Sequence, residues 1–337
     1  MINTMKPISS KEIRETFQKF FEKNDHLRIK SASIVPKNDP TLLFINSGMA
    51  PLKQYFTGEA IPPQKNLCNS QPCIRTIDID DVGDRHHLTF FEMLGSWSIN
   101  GYFKETAIKL AYDLLVNHFK FDPKRLVASV YKGNPDLKLE PDHESAKIWQ
   151  SLGFDDDHIV YQDHADNFWG PAGETGPCGP CTEVFFDTGD EFGPKYKSGE
   201  HFDDTCRYIE IWNAGVFMEF NKEKDGSFSN LKFKSVDTGS GLERMCMVLN
   251  NHQTVYETDL LKPLIDENQK QIPNISTEQN RILADHCRAF TLMLAEGVRP
   301  SNEGRGYIPR RLIRKCLVII HQHRAEFNFD TIFTLIQ

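Results

Sequence analysis

Apolar residues along this chain recur with two different periods. After Ser9-Ser10-Lys11-Glu12, where a hydroxyl precedes an acid by three positions as in a capping box, Ile13, Phe17, Phe20 and Phe21 fall on one helical face. Residues 104–119 repeat that spacing through Ala107, Leu110, Ala111, Leu114 and Leu115, and residues 142–152 and 241–250 also read as helices. Between them, the short apolar runs 41–45, 126–131, 183–186 and 208–212, bounded by Gly, Pro and Asp, predict strands. So uneven a succession predicts an α+β fold, a mainly antiparallel sheet flanked by helices, rather than strict βαβ alternation.

Past Asn251 the strand signals fade. Residues 277–296 form a long amphipathic pattern stopped by Gly297, and residues 308–323 form another with Arg310, Arg311, Arg314 and Lys315 near its start. The expected division is therefore 1–254 for the sheet-containing unit and 255–337 for a helical segment. Its apolar-rich end at Gln337 reads as the beginning of an incomplete domain.

Composition removes whole classes of function. The 337 residues suffice for one large or two ordinary domains. With 39 Lys and Arg against 47 Asp and Glu, the formal charge of −8 excludes a polycation that wraps phosphate backbones, so any nucleic-acid contact must be local. The run Cys316-Leu317-Val318-Ile319-Ile320 is far too short to span a bilayer, and the first residues carry no apolar signal core; a cytoplasmic location is expected. The scattered cysteines read as reduced thiols.

Among motifs, Asp237-Thr238-Gly239-Ser240-Gly241-Leu242-Glu243-Arg244 contains G-x-G without the third glycine of a dinucleotide loop, and no Walker lysine loop occurs. If ATP binds, arginines and Mg²⁺ must hold its phosphates. Arg75 and Arg244 stand out, although either alone would read as a surface ion-pair residue. Arg75 ends Asn69-Ser70-Gln71-Pro72-Cys73-Ile74-Arg75. An acidic loop (Asp78, Asp80, Asp81, Asp84) then leads to a hairpin-like return through Arg85-His86-His87-Leu88-Thr89-Phe90-Phe91-Glu92-Met93-Leu94-Gly95.

Taken with Asn38-Asp39-Pro40-Thr41-Leu42-Leu43-Phe44 and the Asn46-x-Gly48-Met49 that follows, these segments resemble, in order, the three signature motifs of the class II aminoacyl-tRNA synthetases, and within them the alanyl-tRNA synthetase branch. Asp166-Asn167-Phe168-Trp169 and Thr175-Gly176-Pro177-Cys178-Gly179-Pro180-Cys181 fill the interval as in that family, and the match runs from about Ile13 to Lys315.

The resemblance implies ATP-dependent activation of a small amino acid, alanine in this branch, to an aminoacyl-adenylate with release of pyrophosphate, then transfer to a tRNA 3′ end. Joining two anions requires cations at the reacting phosphorus. Arg75 would grip the α-phosphate and the carboxylate with a fork that lysine lacks, and Arg244 would cover the adenine and reach the γ-phosphate. Phe91, or its neighbour Phe90, would stack on the base, with Glu92 completing the ATP-binding set and Mg²⁺ bridging phosphate oxygens. Asp237 would hold the substrate ammonium, with Trp169, Asn213, Val216 and Gly239 forming the amino-acid pocket. Asn302, Arg310, Arg311 and Arg314 match the segment that approaches the tRNA acceptor stem; a solvated basic helix end is the bland alternative.

Two departures fall at the supposed pocket: Gly170-Pro171-Ala172-Gly173 and Asn213-Ala214-Gly215-Val216-Phe217-Met218 each look one residue longer than the family pattern. They weight the reading toward ATP-dependent activation over alanine in particular. Cys178 and Cys181, with Cys206 and His201, suggest zinc, but a lone C-x-x-C ranks below a Gly-Pro turn with packed thiols, so no metal ligand is assigned. His86 and His87 either approach phosphates or cap their loop; His321 and His323 read as surface residues. Two other functions compete: a paralogue that passes the acyl group to a carrier protein or small molecule, and a non-catalytic fragment that only binds nucleotide or tRNA.

Overall fold

The computed structural model describes residues 7–37, 42–171, 174–196 and 207–336. Its strands are β1 (Leu27–Arg28), β2 (Asn66–Ile74), β3 (Phe90–Ile99), β4 (Leu126–Tyr131), β5 (Ile159–Gln162), β6 (Phe168–Trp169), β7 (Gly176–Asp187), β8 (Tyr208–Lys222) and β9 (Phe228–Gly241). They run β1-β2-β3-β9-β8-β7-β4-β5 across one sheet, with β6 added beside β7. Only the outer pairs β1/β2 and β4/β5 are parallel; everything between is antiparallel, which makes the fold the α+β arrangement expected.

The helices are α1 (Ser10–Lys23), α2 (Lys53–Phe56), α3 (Lys104–Tyr112), α4 (His143–Ser151), α5 (His164–Asn167), α6 (Leu242–Leu249), α7 (Lys262–Gln271), α8 (Thr277–Ala295), α9 (Tyr307–Gln322) and α10 (Phe329–Leu335). α1 starts at the capping box read from the sequence, with Ser9 accepting from the Glu12 N–H and Glu12 accepting from the Ser9 N–H. Its stripe of Ile13, Phe17, Phe20 and Phe21 joins Leu94 of β3, Trp212 of β8 and Met245 of α6 in the larger core cluster. A second cluster, on the other face of the sheet, holds Met49, Phe56, Leu67, Trp97, Cys181, Val216 and Met218.

Three expectations change on folding. Of residues 41–45, Thr41 lies outside the described residues, and Leu42 to Ile45 form an irregular strap rather than a strand. The Ile45 N–H bonds to Ile34 O while its carbonyl accepts from the Ile74 N–H. The strap is apolar because it covers a core, Leu42 and Ile45 entering one cluster and Phe44 the other. Of the hairpin-like return, residues 85–89 stay irregular and Phe90 begins β3, which runs antiparallel to β2 from Asn66↔Ser98 to Ile74↔Phe90 and continues past Gly95 to Ile99. The helix expected over 104–119 is α-helical only to Tyr112 and widens into a π-turn over Asp113–His118.

The strand-to-helix change near residue 255 coincides with no break in packing: Val255, Leu264, Leu283 and Leu312 belong to the same core cluster as Ile13 and Leu94.

Candidate active site

Strand parity builds the site. On β3, Phe90 and Leu94 point into the helix-side core, whereas Phe91, Met93 and Trp97 point to the other face. β9 lies beside β3 with Trp97↔Asp237, Gly95↔Gly239 and Met93↔Gly241 opposite one another, which brings the second and third signature segments together. β8 flanks β9 on its far side, with Asn213↔Gly239 and Val216↔Asp237. Three steps on β8 therefore match two on β9, and the extra residue is a β-bulge. The apparent one-residue lengthening at 213–218 lies at this bulge. Gly215 sits within it, where a Cβ would come within 2.7 Å of the Phe217 ring. The other lengthening cannot be followed, since Ala172 and Gly173 lie outside the described residues.

At the mouth of this strand trio, one pocket is lined by Arg75, Asp78, His86, His87, Phe91, Met93, Glu210, Gly239 and Arg244, with Glu243 at its base. The two arginines, distant in sequence, thus face a single cavity. Arg75 is steadied by Nε donating to Asn46 O at 3.2 Å, and its guanidinium carbon lies 4.9 Å from the Phe91 ring centre. Arg244 Nη1 donates to Glu210 O at 3.0 Å and to Glu210 Oε2 at 3.1 Å. Opposite them, Asp84 accepts both backbone N–H groups of His86 and His87 and the His87 Nδ1 proton at 2.6 Å. That hydrogen bond raises the His87 pKa, favouring the imidazolium, whereas burial, reinforced by Arg244, drives His86 toward the neutral form.

Phe90 and Glu92 fall outside the pocket, a correction to the ATP-binding set. Phe90 is buried on the helix side with Arg288 over its ring at 4.7 Å. The Glu92 carboxylate is held on that same side by Arg14, at 2.6 and 2.8 Å, and by Ser70 at 2.8 Å. Burial alone would raise its pKa, but the Arg14 contacts hold it below the usual carboxylate range. Of the two phenylalanines only Phe91 lines the cavity, because adjacent residues on a strand face opposite ways.

The residues expected to form the amino-acid pocket lie beside this cavity on the same strands. Asp237, 6 % exposed, accepts the Trp97 Nε1 proton at 2.7 Å; burial pushes its pKa up to about 7 despite that donor. Val216 belongs to the same cluster as Trp97, and Trp169, paired through β6 to Gly179 of β7, packs against it. Asn213 Nδ2 donates to Glu183 Oε1 at 3.0 Å, leaving its Oδ1 buried without a partner among the described residues. Gly239 is confined by Met93, whose Sδ would lie 2.7 Å from any Cβ placed there.

Cys178 and Cys181 share no centre: the first packs with Tyr131 and Phe168, the second with Trp97 and Val216. Between them the chain approaches β8 so closely that a Cβ on Gly179 would meet Phe217 O at 1.8 Å. His201 and Cys206 lie outside the described residues, as do Asn38, Asp39, Pro40 and Thr41 of the first signature. Among the described residues, Asp84, His86 and His87 are the group whose possible ligand atoms all lie within 4.8 Å of one another, but Arg244 and Arg85 disfavour added positive charge at His86. Glu210 is a better match to Mg²⁺, a hard cation that takes carboxylate together with phosphate oxygens.

Of the basic residues at the start of α9, Arg314 and the preceding Asn302 are exposed and Arg310 half-buried, while Arg311 is committed to Asp80 at 2.6 Å. Sequence reading missed Glu210, Met93, Asp78 and Trp97. Glu210 was visible as the lone acid inside an apolar strand; Met93 and Trp97 needed the β3–β9 register, and Asp78, seen as part of the acidic loop, needed the turn over Ile77–Asp80 that brings it to the pocket.

The chain belongs to the class II aminoacyl-tRNA synthetases: the model of tRNA synthetases class II (A) matches residues 12–336, which include the sheet and both arginines. Its relatives include the alanine–tRNA ligase of Borrelia hermsii, 43 % identical over 319 residues, covering 91 % of this chain and 52 % of the relative. That of Acetivibrio thermocellus is 44 % identical over 323 residues, covering 93 % and 35 %. The chain thus spans between about a third and a half of the length of these curated relatives. A crystal structure of apo histidyl-tRNA synthetase from S. aureus aligns over 75 % of this chain and 70 % of that one with TM-score 0.41 and 10 % identity. No helix among the described residues is long and apolar enough to cross a membrane.

Proposed function

We propose that this chain carries the adenylation centre of an alanine–tRNA ligase. A carboxylate oxygen of alanine attacks the α-phosphorus of ATP, the bond to the β-phosphate oxygen breaks, and pyrophosphate leaves with the electron pair. The tRNA 3′-terminal hydroxyl then attacks the acyl carbon and AMP departs. The observation that carries this reading is the convergence of Arg75, Arg244, Phe91 and Gly239 on one cavity, with Asp237 two residues from Gly239 on β9. Two guanidinium groups offset the charge that builds up when anion meets anion. Phe91 offers the adenine a flat apolar surface, and the fork of Arg75 can span an α-phosphate oxygen and the incoming carboxylate. Mg²⁺, which Glu210 would hold, screens the β- and γ-phosphates when bound. Asp237 faces the ammonium as a buried anion, and Trp169 and Val216 limit the side chain to a small group. Alanine is the substrate favoured by that enclosure and by the relatives' own activity. Asn302, Arg310 and Arg314 offer a local basic surface to an acceptor stem.

The test is alanine-dependent exchange of labelled pyrophosphate into ATP, followed by charging of an acceptor-stem minihelix. Wild-type protein should exchange, and Arg75→Ala should lose at least about a hundredfold, the cost of one transition-state donor. Near-wild-type exchange in the arginine variant would refute its role. Exchange without minihelix charging would move the acceptor from tRNA to another acyl acceptor.

A further inference from the structure

We infer that Trp97 is a positioning residue of the amino-acid subsite: its indole N–H fixes one oxygen of Asp237 so that the other is presented to the substrate ammonium. The inference rests on the adenylation reading above and adds to it a residue that none of the signature motifs singles out.

Four observations converge. Trp97 and Asp237 are directly opposite on β3 and β9, and Nε1 lies 2.7 Å from Oδ1. Trp97 is completely buried and Asp237 6 % exposed, so the indole N–H has no water as an alternative partner to the carboxylate. The indole is a donor only and Asp237 ionised is an acceptor only, so the pair is satisfied in a single arrangement, with Oδ2 left over. Finally, the surroundings are cut to fit the ring. A Cβ on Gly95 would meet Trp97 Cζ2 at 2.3 Å, and a Cβ on Gly48, from the strap, would meet it at 2.8 Å. Two glycines on separate segments are therefore required to seat one indole edge. Gly48 N–H also donates to Met93 Sδ, which closes the gap toward Gly239, so the indole joins the floor of the nucleotide pocket to the amino-acid carboxylate.

The electrostatic consequence has a definite sign. Burial raises the Asp237 pKa and the Trp97 donor lowers it; no cation is among the influences on this group. From β2 the nearest titratable neighbour is the Cys73 thiol, itself pushed up by burial and neutral. Removing the indole N–H therefore raises the Asp237 pKa further and keeps the carboxyl protonated over a wider range, where it cannot receive an ammonium ion.

The experiment is Trp97→Phe, which keeps an aromatic ring and removes the donor. Alanine-dependent exchange is followed as kcat/KM for alanine between about pH 5.5 and 8.5, a quantity that reports ionisation of the free enzyme. The acid limb should move up by about one unit, so that near pH 6.5 the variant is weaker by about tenfold, with the ATP KM within about twofold of wild type. A profile superimposable on wild type overturns the inference and leaves the adenylation reading standing. Absence of exchange in the wild-type protein overturns both.

Should Trp97→Phe fail to fold, the wild-type protein decides alone. One of its four indole N–H resonances should titrate with a midpoint near the Asp237 value of about 7, and that movement should vanish in Asp237→Asn. Four pH-invariant indole signals would overturn the inference.

Discussion

Removing the Arg288 guanidinium should cost far more than its distance from the pocket suggests. Arg288 of α8 pairs with Glu243 of α6 at 2.8 Å, with side chains 8 % and 2 % exposed. Glu243 also accepts the Glu92 N–H at 3.1 Å and immediately precedes Arg244. In Arg288→Ala an uncompensated carboxylate is left inside the core, a loss on the order of 3–5 kcal/mol. Burial already raises the Glu243 pKa against the pull of Arg288, and without that cation it rises further. A carboxyl whose folded pKa lies above its unfolded value makes the folded state the tighter proton binder. Stability is then lost as pH rises through the window between the two values. The destabilisation should therefore be larger at the higher of two assay pH values and shrink at the lower one as Glu243 takes up a proton. Thermal unfolding followed by intrinsic fluorescence at both pH values reads the effect, with a drop in Tm of about 4–7 °C expected at the higher pH. Arg288→Met combined with Glu243→Gln should recover most of it, since replacing both charges removes the unpaired one. A loss below about 1 kcal/mol, or an equal loss at both pH values, would refute the reasoning.

Two further outcomes are expected. Gly179→Ala places a Cβ 1.8 Å from Phe217 O, backbone that cannot rotate away, so the β7–β8 pairing must shift; the cost of about 1–3 kcal/mol or more should appear as a lowered Tm or lost soluble yield, and an unchanged Tm would contradict the geometry. Charge reversal of Arg310 and Arg314 to Glu should lower minihelix charging by about tenfold or more and flatten its salt dependence, while pyrophosphate exchange without RNA persists; charging at the wild-type level would exclude this surface from acceptor-stem binding.

The motifs were legible because they are constrained by chemistry: Arg75, Arg244 and Asp237 stand within long segments whose order along the chain follows the family. The capped helix α1 was equally open, since Ser9, Glu12 and the Phe stripe are local signals. Of the strands that carry the site, the start of β8 was read as a strand, whereas β2 and β9 were not. β2 reads Asn-Leu-Cys-Asn-Ser-Gln-Pro-Cys-Ile, polar enough to pass for a loop, and it is a strand because Gln71 and Asn69 find partners in the 30–32 segment. Conversely, Leu42 to Ile45 look like a strand and are an apolar strap. The Phe90/Phe91 ambiguity and the place of Glu92 turn on strand parity, which composition cannot supply until one neighbour fixes the face. Trp97 escaped notice because its role exists only across a register, opposite Asp237.

The helical segment looked separable in sequence, yet several of its polar groups are spent on the sheet-containing part. Asp285 of α8 accepts the Thr89 N–H at 2.8 Å just before β3 begins. Arg281 of the same helix donates to Gly83 O at 3.1 Å and Asp84 O at 3.0 Å, the residue that orients His87. Arg311 of α9 reaches Asp80, and Arg305 donates to Leu43 O on the strap. These contacts, together with Arg288–Glu243, fall on the segment between Arg75 and Glu92, on the strap, or on the helix bearing Arg244. A loop rich in Asp, crossing between two arginines that must converge, would be drawn toward those arginines by its own charge. Cations from α8 and α9 hold one of its acidic side chains, Asp80, and two of its carbonyls, those of Gly83 and Asp84. The basic residues of this segment thus divide: Arg281, Arg288, Arg305 and Arg311 brace the pocket that Arg75 and Arg244 line, and Arg310 and Arg314 are the ones proposed above to meet an acceptor stem.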